Sequence, residues 1–177
     1  NLEKVDAIIV SLDTIAYGGL ISSRRSTATL EEVKSKMEIF KQILKEKSDN
    51  IYAFSSIMRI SNNNVNEEEK EYWDKYGKKI FEYSYNFHKH NSAKPEVPIE
   101  ILEDYLATRK RNFEINKTYL NWLEENVLKT LVFSKDDCAE FGLNVMEAKS
   151  LEKSIKEKGL YASALVKTGA DEIPLTL

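Results

Sequence analysis

Hydrophobic positions along this chain alternate between two rhythms: short apolar runs, and longer stretches with a three-to-four-residue repeat. Val5 to Leu12 is an apolar run rich in β-branched residues and bounded by Asp13, and it reads as a buried strand. A loop with Gly18 and Gly19 follows, ending in the polar stretch Ser22 to Ser26. Thr29 with Glu32 forms a capping-box signature. Leu30, Val33, Met37, Phe40 and Leu44 then recur at helical spacing and predict an amphipathic helix. Ile51 to Ile57 reads as a second strand leading into Met58 and Arg59. Asn62, Asn63 and Asn64 mark a loop, since Asn enters turn conformations cheaply.

A further helix is predicted from near Asn66, with Glu67, Glu68 and Glu69 in its first turn and an aromatic stripe of Trp73, Tyr76, Ile80, Tyr83 and Phe87. Lys94 to Pro98 is a proline-bounded linker, after which a long helix is expected to reach Asn126. Leu128 to Ser134 reads as a third strand, and Asn144 with Glu147 should open another helix, ended by Gly159. Tyr161 to Val166 gives a fourth strand. Strands separated by helices imply parallel pairing through right-handed crossovers. The expected fold is α/β, a parallel sheet with strands near 5–12, 51–57, 128–134 and 161–166 and flanking helices. It is either an open three-layer sheet or part of a β/α barrel, in one domain over 1–177.

Composition agrees. Six Gly and three Pro in 177 residues are about 5%, below the roughly 12% of average usage. So few breakers favour long helices over a turn-rich sandwich. The net charge of -3 lacks the basic surplus of a nucleic-acid binder. Cys138 is the sole cysteine, and without a well-placed histidine it reads as a buried small residue. His88 and His90 cannot share a helix face and read as surface or capping residues. A histidine-rich metal centre is excluded, and any metal would be a hard cation on carboxylates. The apolar run Ala7 to Val10 is far too short to span a membrane. The chain opens on Asn1 and closes at Leu177 amid an apolar stretch, so an internal fragment is expected. Localisation cannot be read from such ends; soluble and cytoplasmic is the default.

Ligands of parallel α/β folds bind at the C-terminal ends of the strands. Those ends deliver Asp13 and Tyr17 with Arg24 and Arg25, then Arg59, then Lys135, Asp136 and Asp137, and lastly Asp171 and Glu172. Two acids as close as Asp136 and Asp137 push their pKa values apart, which suits one as acid and the other as its partner. On the long helix, Arg109 and Asn116 share a face with Leu102, Leu106, Phe113, Leu120 and Leu123, and Asn112 lies at its edge. Buried there, these polar groups need partners, and the strand-end carboxylates are the natural ones. A nucleotide-binding glycine motif and a nucleophile elbow are both missing.

Ser11-Leu12-Asp13 with Ala16-Tyr17-Gly18-Gly19-Leu20 and Ser23-Arg24 resembles the first signature of a bacterial family, Domain of Unknown Function family 4127. Further resemblances follow in order: Ile57-Met58-Arg59, Arg111-Asn112 with Asn116, Ser134-Lys135-Asp136-Asp137 with Phe141-Gly142, and Gly169-Ala170-Asp171-Glu172. The resemblance implies a longer parent protein and supports the same site residues, Arg111 among them. It brings no activity with it. Thr14 stands where that family often has Met.

The expected function is a carbohydrate-active hydrolase of glycosidase type. Asp137 would be the general acid and Asp136 its partner, with Asp13 as a third catalytic carboxylate. Tyr17, Arg24, Arg59, Arg109, Arg111, Asn112, Asn116, Asp171 and Glu172 would bind substrate, because saccharide hydroxyls need donors and acceptors. The alternative is a non-catalytic ligand-binding or scaffold domain whose charges form a structural ion network. No cofactor is required; a variant holds Mg²⁺ or Ca²⁺ among Asp13, Asp136 and Asp171. A saccharide or other small molecule is the expected partner, with no nucleic acid, and the oligomeric state is left open.

Overall fold

The computed structural model describes residues 4–136, 139–169 and 173. The elements run β1 (Ile8–Ser11), α1 (Leu12–Tyr17), α2 (Leu20–Arg25), α3 (Leu30–Lys47), β2 (Ile51–Ile57), α4 (Trp73–His90), α5 (Ile99–Glu124), β3 (Thr130–Lys135), α6 (Leu143–Glu157) and β4 (Ala164–Thr168). The strands form one sheet in the order β1-β2-β3-β4, and every neighbouring pair is parallel. This is an α/β fold, as the alternating rhythms imply.

Alternation along the strands decides which face is covered. Val10, Ala53, Leu131 and Phe133 are buried and meet Val33 and Met37 of α3, Ile115 and Tyr119 of α5, and Leu151 and Ile155 of α6 in one core. Side chains of the other parity do not join that core: Ile9 is 53% exposed, and Tyr52, Phe54 and Leu165 are half-buried. Consecutive strand order with right-handed crossovers carries successive helices to the same side. Of the two architectures left open by the sequence, the arrangement matches a run of β/α units rather than a three-layer sheet.

Local boundaries depart from the sequence pattern where capping decides them. The first strand ends at Ser11 rather than Leu12, because the Ser11 hydroxyl accepts from the Thr14 backbone N–H at 3.3 Å and starts α1. Thr29 and Glu32 form the expected capping box on α3. No helix opens at Asn66; the chain turns until α4 begins at Trp73. Residues 161–163 form a turn, and β4 starts only at Ala164. Asn144 and Glu147 do not cap α6: Gly142 occupies that position, and its N–H donates to His88 Nδ1 at 3.0 Å while the Leu143 N–H donates to Ser84 Oγ at 2.8 Å. His88 is thus a half-buried acceptor that caps the start of α6 from α4, the capping role among the two expected for it.

The buried face of α4 carries Trp73 and Ile80 of the expected stripe together with Gly77 and Ser84, while Tyr76, Tyr83 and Phe87 are half-buried beside it. Gly77 permits close contact with the preceding loop. A Cβ there would overlap the Asn63 carbonyl oxygen and lie 2.5 Å from Trp73 Nε1. Gly77→Ala is therefore expected to cost about 1–3 kcal/mol through overpacking, despite alanine's better helix propensity. Denaturant titration checks this, and a stabilised variant would contradict the close approach.

Candidate functional site at the strand ends

Asp13 leaves the end of β1 in the first turn of α1, and its side chain turns inward. It is buried, accepting from the Ser56 N–H at 2.7 Å and from the Ser55 hydroxyl at 3.3 Å. Burial raises its pKa to about 6, with the bonds from Ser56 and Ser55 opposing the rise. Ser55 Oγ also lies 2.8 Å from Asn116 Oδ1, and Asn116 Nδ2 donates to the Ser56 carbonyl at 3.0 Å. Asp13 thus fastens α1, and Asn116 fastens α5, to the end of β2. After it, α1 stops at Gly18, whose φ of 91° is left-handed, and Gly19 follows at φ 138°. These backbone angles exclude other residues at little less than severe strain, and they turn α2 across the strand ends.

The polar face of α5 finds partners, but mostly not the carboxylates expected for it. Arg109 is fully buried and sends Nε and Nη2 side-on to the Glu147 carboxylate at 2.8 and 2.6 Å. Its Nη2 also donates to the Met58 carbonyl at 2.6 Å, and Nη1 to the Tyr105 hydroxyl at 3.0 Å. Arg111 donates to the carbonyls of Ser23, Ser26 and Ala28 at 2.6, 2.7 and 2.9 Å. Asn112 adds a bond to the Ser23 carbonyl at 3.1 Å. The Tyr17 ring packs on the Arg111 guanidinium, and burial pushes its hydroxyl up to about 12. These residues brace the loops that carry the site; they do not line its open part.

That open part is a cleft of about 790 Å³ lined by Gly18, Gly19, Leu20, Ile21, Ser22, Arg24, Arg59, Glu68, Asp136 and Gly169. Four strand ends contribute to it. The Gly169 N–H donates to the Lys135 carbonyl at 3.2 Å and brings the chain after β4 beside the end of β3. Arg59 sits between acids: Nη2 is 2.5 Å from Glu68 Oε2, and Nη1 is 3.7 Å from Asp136 Oδ2. Behind it, Arg24 is 1% exposed and donates from Nη1 to Glu69 Oε1 at 2.7 Å. Burial raises the Glu69 pKa, with Arg24 and Arg59 opposing.

Glu68 and Glu69 replace the predicted helix start with a site loop, held by Arg25. The Arg25 guanidinium donates to the carbonyls of Glu69, Asn66 and Glu67 at 2.8, 2.6 and 2.7 Å. Sequence reasoning placed none of Glu68, Glu69, Ser55, Ser56 and Glu147 in the site, and it brought Arg25 to the strand ends without a role. The one available signal was an Arg-Arg pair matched by three consecutive acids, far apart in sequence.

Of the predicted site residues, Arg24, Arg59 and Asp136 meet at the cleft. Asp13, Tyr17, Arg109, Arg111, Asn112 and Asn116 lie behind it, while Asp137, Asp171 and Glu172, like Cys138, are outside the described residues. Among the described residues no three His, Cys, Asp or Glu side chains gather where they could hold a metal ion. No described helix is long and apolar enough to cross a membrane.

Fold and site together define a parallel α/β domain with a charged strand-end cleft. Residues 1–177 match a family described as Protein of unknown function (DUF4127), and the chain belongs to that family. No curated protein and no solved structure matches it.

Proposed function

We propose that the strand-end cleft binds a hydroxylated small molecule of the saccharide class, and that the protein is a carbohydrate-active hydrolase. The observation that supports this is the mixture of groups at one opening. Arg24 and Arg59 offer donors, while Glu68 and Asp136, with side chains 45% and 40% exposed, offer acceptors to an incoming ligand. Hydroxyl groups use both kinds of partner at once. Asp136 supplies one carboxyl of the acid-base pair, and Asp137, the next residue in the chain, supplies the acid. Arg59 Nη1 lies 3.7 Å from Asp136 Oδ2 and fixes that carboxylate at the mouth of the cleft.

The competing reading is a non-catalytic binding or scaffold domain. It draws support from the ion pairs that Arg24 and Arg59 already make with Glu68 and Glu69. A panel of aryl glycosides separates the two. Hydrolysis should be detected in the wild type and should fall by about 10²–10⁴-fold in Asp136→Asn. Thermal stability should barely move, because the Asp136 side chain is partly exposed and its ion pair is long. Cleavage that survives this change removes Asp136 from the mechanism. A panel with no cleavage at all returns the protein to the scaffold reading.

A further inference from the structure

Three arginines are buried around the strand ends, and two of them use the side-on edge of the guanidinium within the protein. Arg109 turns Nε and Nη2 to the two oxygens of Glu147. Arg111 turns the same two atoms to Asn112 Oδ1, at 3.1 and 2.9 Å. Arg24 differs. Its Nη1 is committed to Glu69, yet its Nε and Nη2 are buried without a hydrogen-bond partner among the described residues. Glu68 Oε2 lies 3.5 Å from that Nη2, an ion pair but not a hydrogen bond, and it bonds Arg59 instead.

Leaving two charged donors unmatched is costly, and a planar carboxylate matches this edge with two parallel bonds. Arg24 also lines the cleft, and the group standing nearest its Nη2 there is the partly exposed Glu68 carboxylate, which an entering ligand can displace. We infer that the ligand carries a carboxylate, taken side-on by Arg24, which makes the substrate class an acidic saccharide with a uronic-acid unit. This rests on the saccharide reading above for the sugar, but the carboxylate stands on Arg24 alone.

Charge balance sets how the ligand enters. Arg24 and Arg59 already face Glu68, Glu69 and Asp136, so an added anion would meet a negative surplus. Glu69 is buried and bonded to Arg24, whereas the Glu68 side chain is 45% exposed and can turn into water. The ligand carboxylate therefore replaces Glu68 over the two arginines, leaving the local charge unchanged.

The test is calorimetric titration of the protein with D-glucuronate and D-galacturonate against D-glucose and D-galactose, with acetate and inorganic phosphate as simple anions. One uronate should bind about tenfold or more tighter than its neutral parent. Arg24→Lys, which keeps the charge and loses the two-pronged edge, should abolish that preference. Glu68→Gln, a change at an exposed side chain, should tighten uronate binding several-fold and keeps the test open if the Arg24 variant fails to fold. Equal binding of acidic and neutral sugars overturns the inference while leaving the saccharide reading intact. Arg24-dependent binding of acetate without any sugar keeps the carboxylate site and overturns the saccharide class, and Arg24-dependent binding of phosphate alone overturns the carboxylate. Unchanged or weaker uronate binding in Glu68→Gln, or no binding of any probe, overturns the inference.

Discussion

Replacing Arg109 with Met is expected to lower stability by about 3–5 kcal/mol, the usual cost of stripping one partner from a buried ion pair. Arg109 is 2% exposed, and the Glu147 side chain beneath it is 15% exposed. Without the guanidinium, Glu147 keeps a charge that water cannot solvate, and the Met58 carbonyl loses its donor. Burial already raises the Glu147 pKa, and Arg109 is the influence holding it down. The variant should therefore lose less stability in acid, where Glu147 is neutral, and more as pH rises through its folded pKa. A double change, Arg109→Met with Glu147→Leu, should recover much of the loss, because it removes the unpaired charge along with its partner. The Met58 carbonyl would still lack its donor, so recovery stays incomplete. Urea titrations of the three variants check this cycle. A single variant losing less than about 1 kcal/mol would place the pair in water rather than in the core.

Asp13→Asn should change the pH dependence of stability more than stability itself at any one acid pH. The Asp13 carboxyl titrates near 3.8 unfolded and near 6 when folded. Between those values the folded state holds the extra proton, so wild-type stability falls as pH rises from about 4 to about 6 and levels off above. A shift of that size is worth about 3 kcal/mol at full ionisation. Asparagine can still accept from the Ser56 N–H, and it carries no charge to bury. The variant should match the wild type near pH 4 and exceed it at pH 8 by up to about 3 kcal/mol. Glu69 and Glu147, also raised by burial, slope the same way in both proteins and cancel in the comparison. Thermal melts across pH 4–8 read the difference. A constant offset between the two proteins would mean that burial does not control Asp13.

The same network explains why polar residues on α5 were visible in the sequence while their roles were not. Arg109, Asn112 and Asn116 interrupt an apolar face, and interruption is a periodic signal that one helix carries alone. What they bind depends on which elements stand opposite. Arg109 takes an acid from α6, and Asn116 takes two serines of β2, none of them near in sequence. Asp13 likewise marked a strand end correctly, but only the neighbouring end of β2 turns it inward to Ser55 and Ser56.

Helix α4 shows the limit from the other side. An apolar repeat chose the aromatic residues as its buried stripe, because size and hydrophobicity are all that periodicity weighs. Trp73 and Ile80 do face inward, but Gly77 and Ser84 join them, Gly77 for the close approach of Asn63 and Ser84 to bond the start of α6. The acids at 67–69 suited a helix N-terminus by charge, yet Arg24 and Arg59 take the Glu69 and Glu68 carboxylates while Arg25 takes the backbone carbonyls of Asn66, Glu67 and Glu69 and holds the chain in turns.

Local chemistry by itself determined the alternation of strands and helices, the parallel sense of strand pairing, the Thr29–Glu32 cap and the presence of charge at the strand ends. Each depends on neighbours within a few residues or on the handedness of one crossover. Tertiary structure decided the order of the strands, which face of the sheet is covered, which arginine is bonded by which acid, and which buried arginine is left with two unmatched donors among the described residues. Most of those outcomes turn on distances between residues far apart in the chain, such as Arg24 and Glu69, 45 positions apart, or Ser23 and Arg111, 88 apart. A buried charge is satisfied by whichever group the fold brings within about 3 Å, and only the assembled fold fixes that choice.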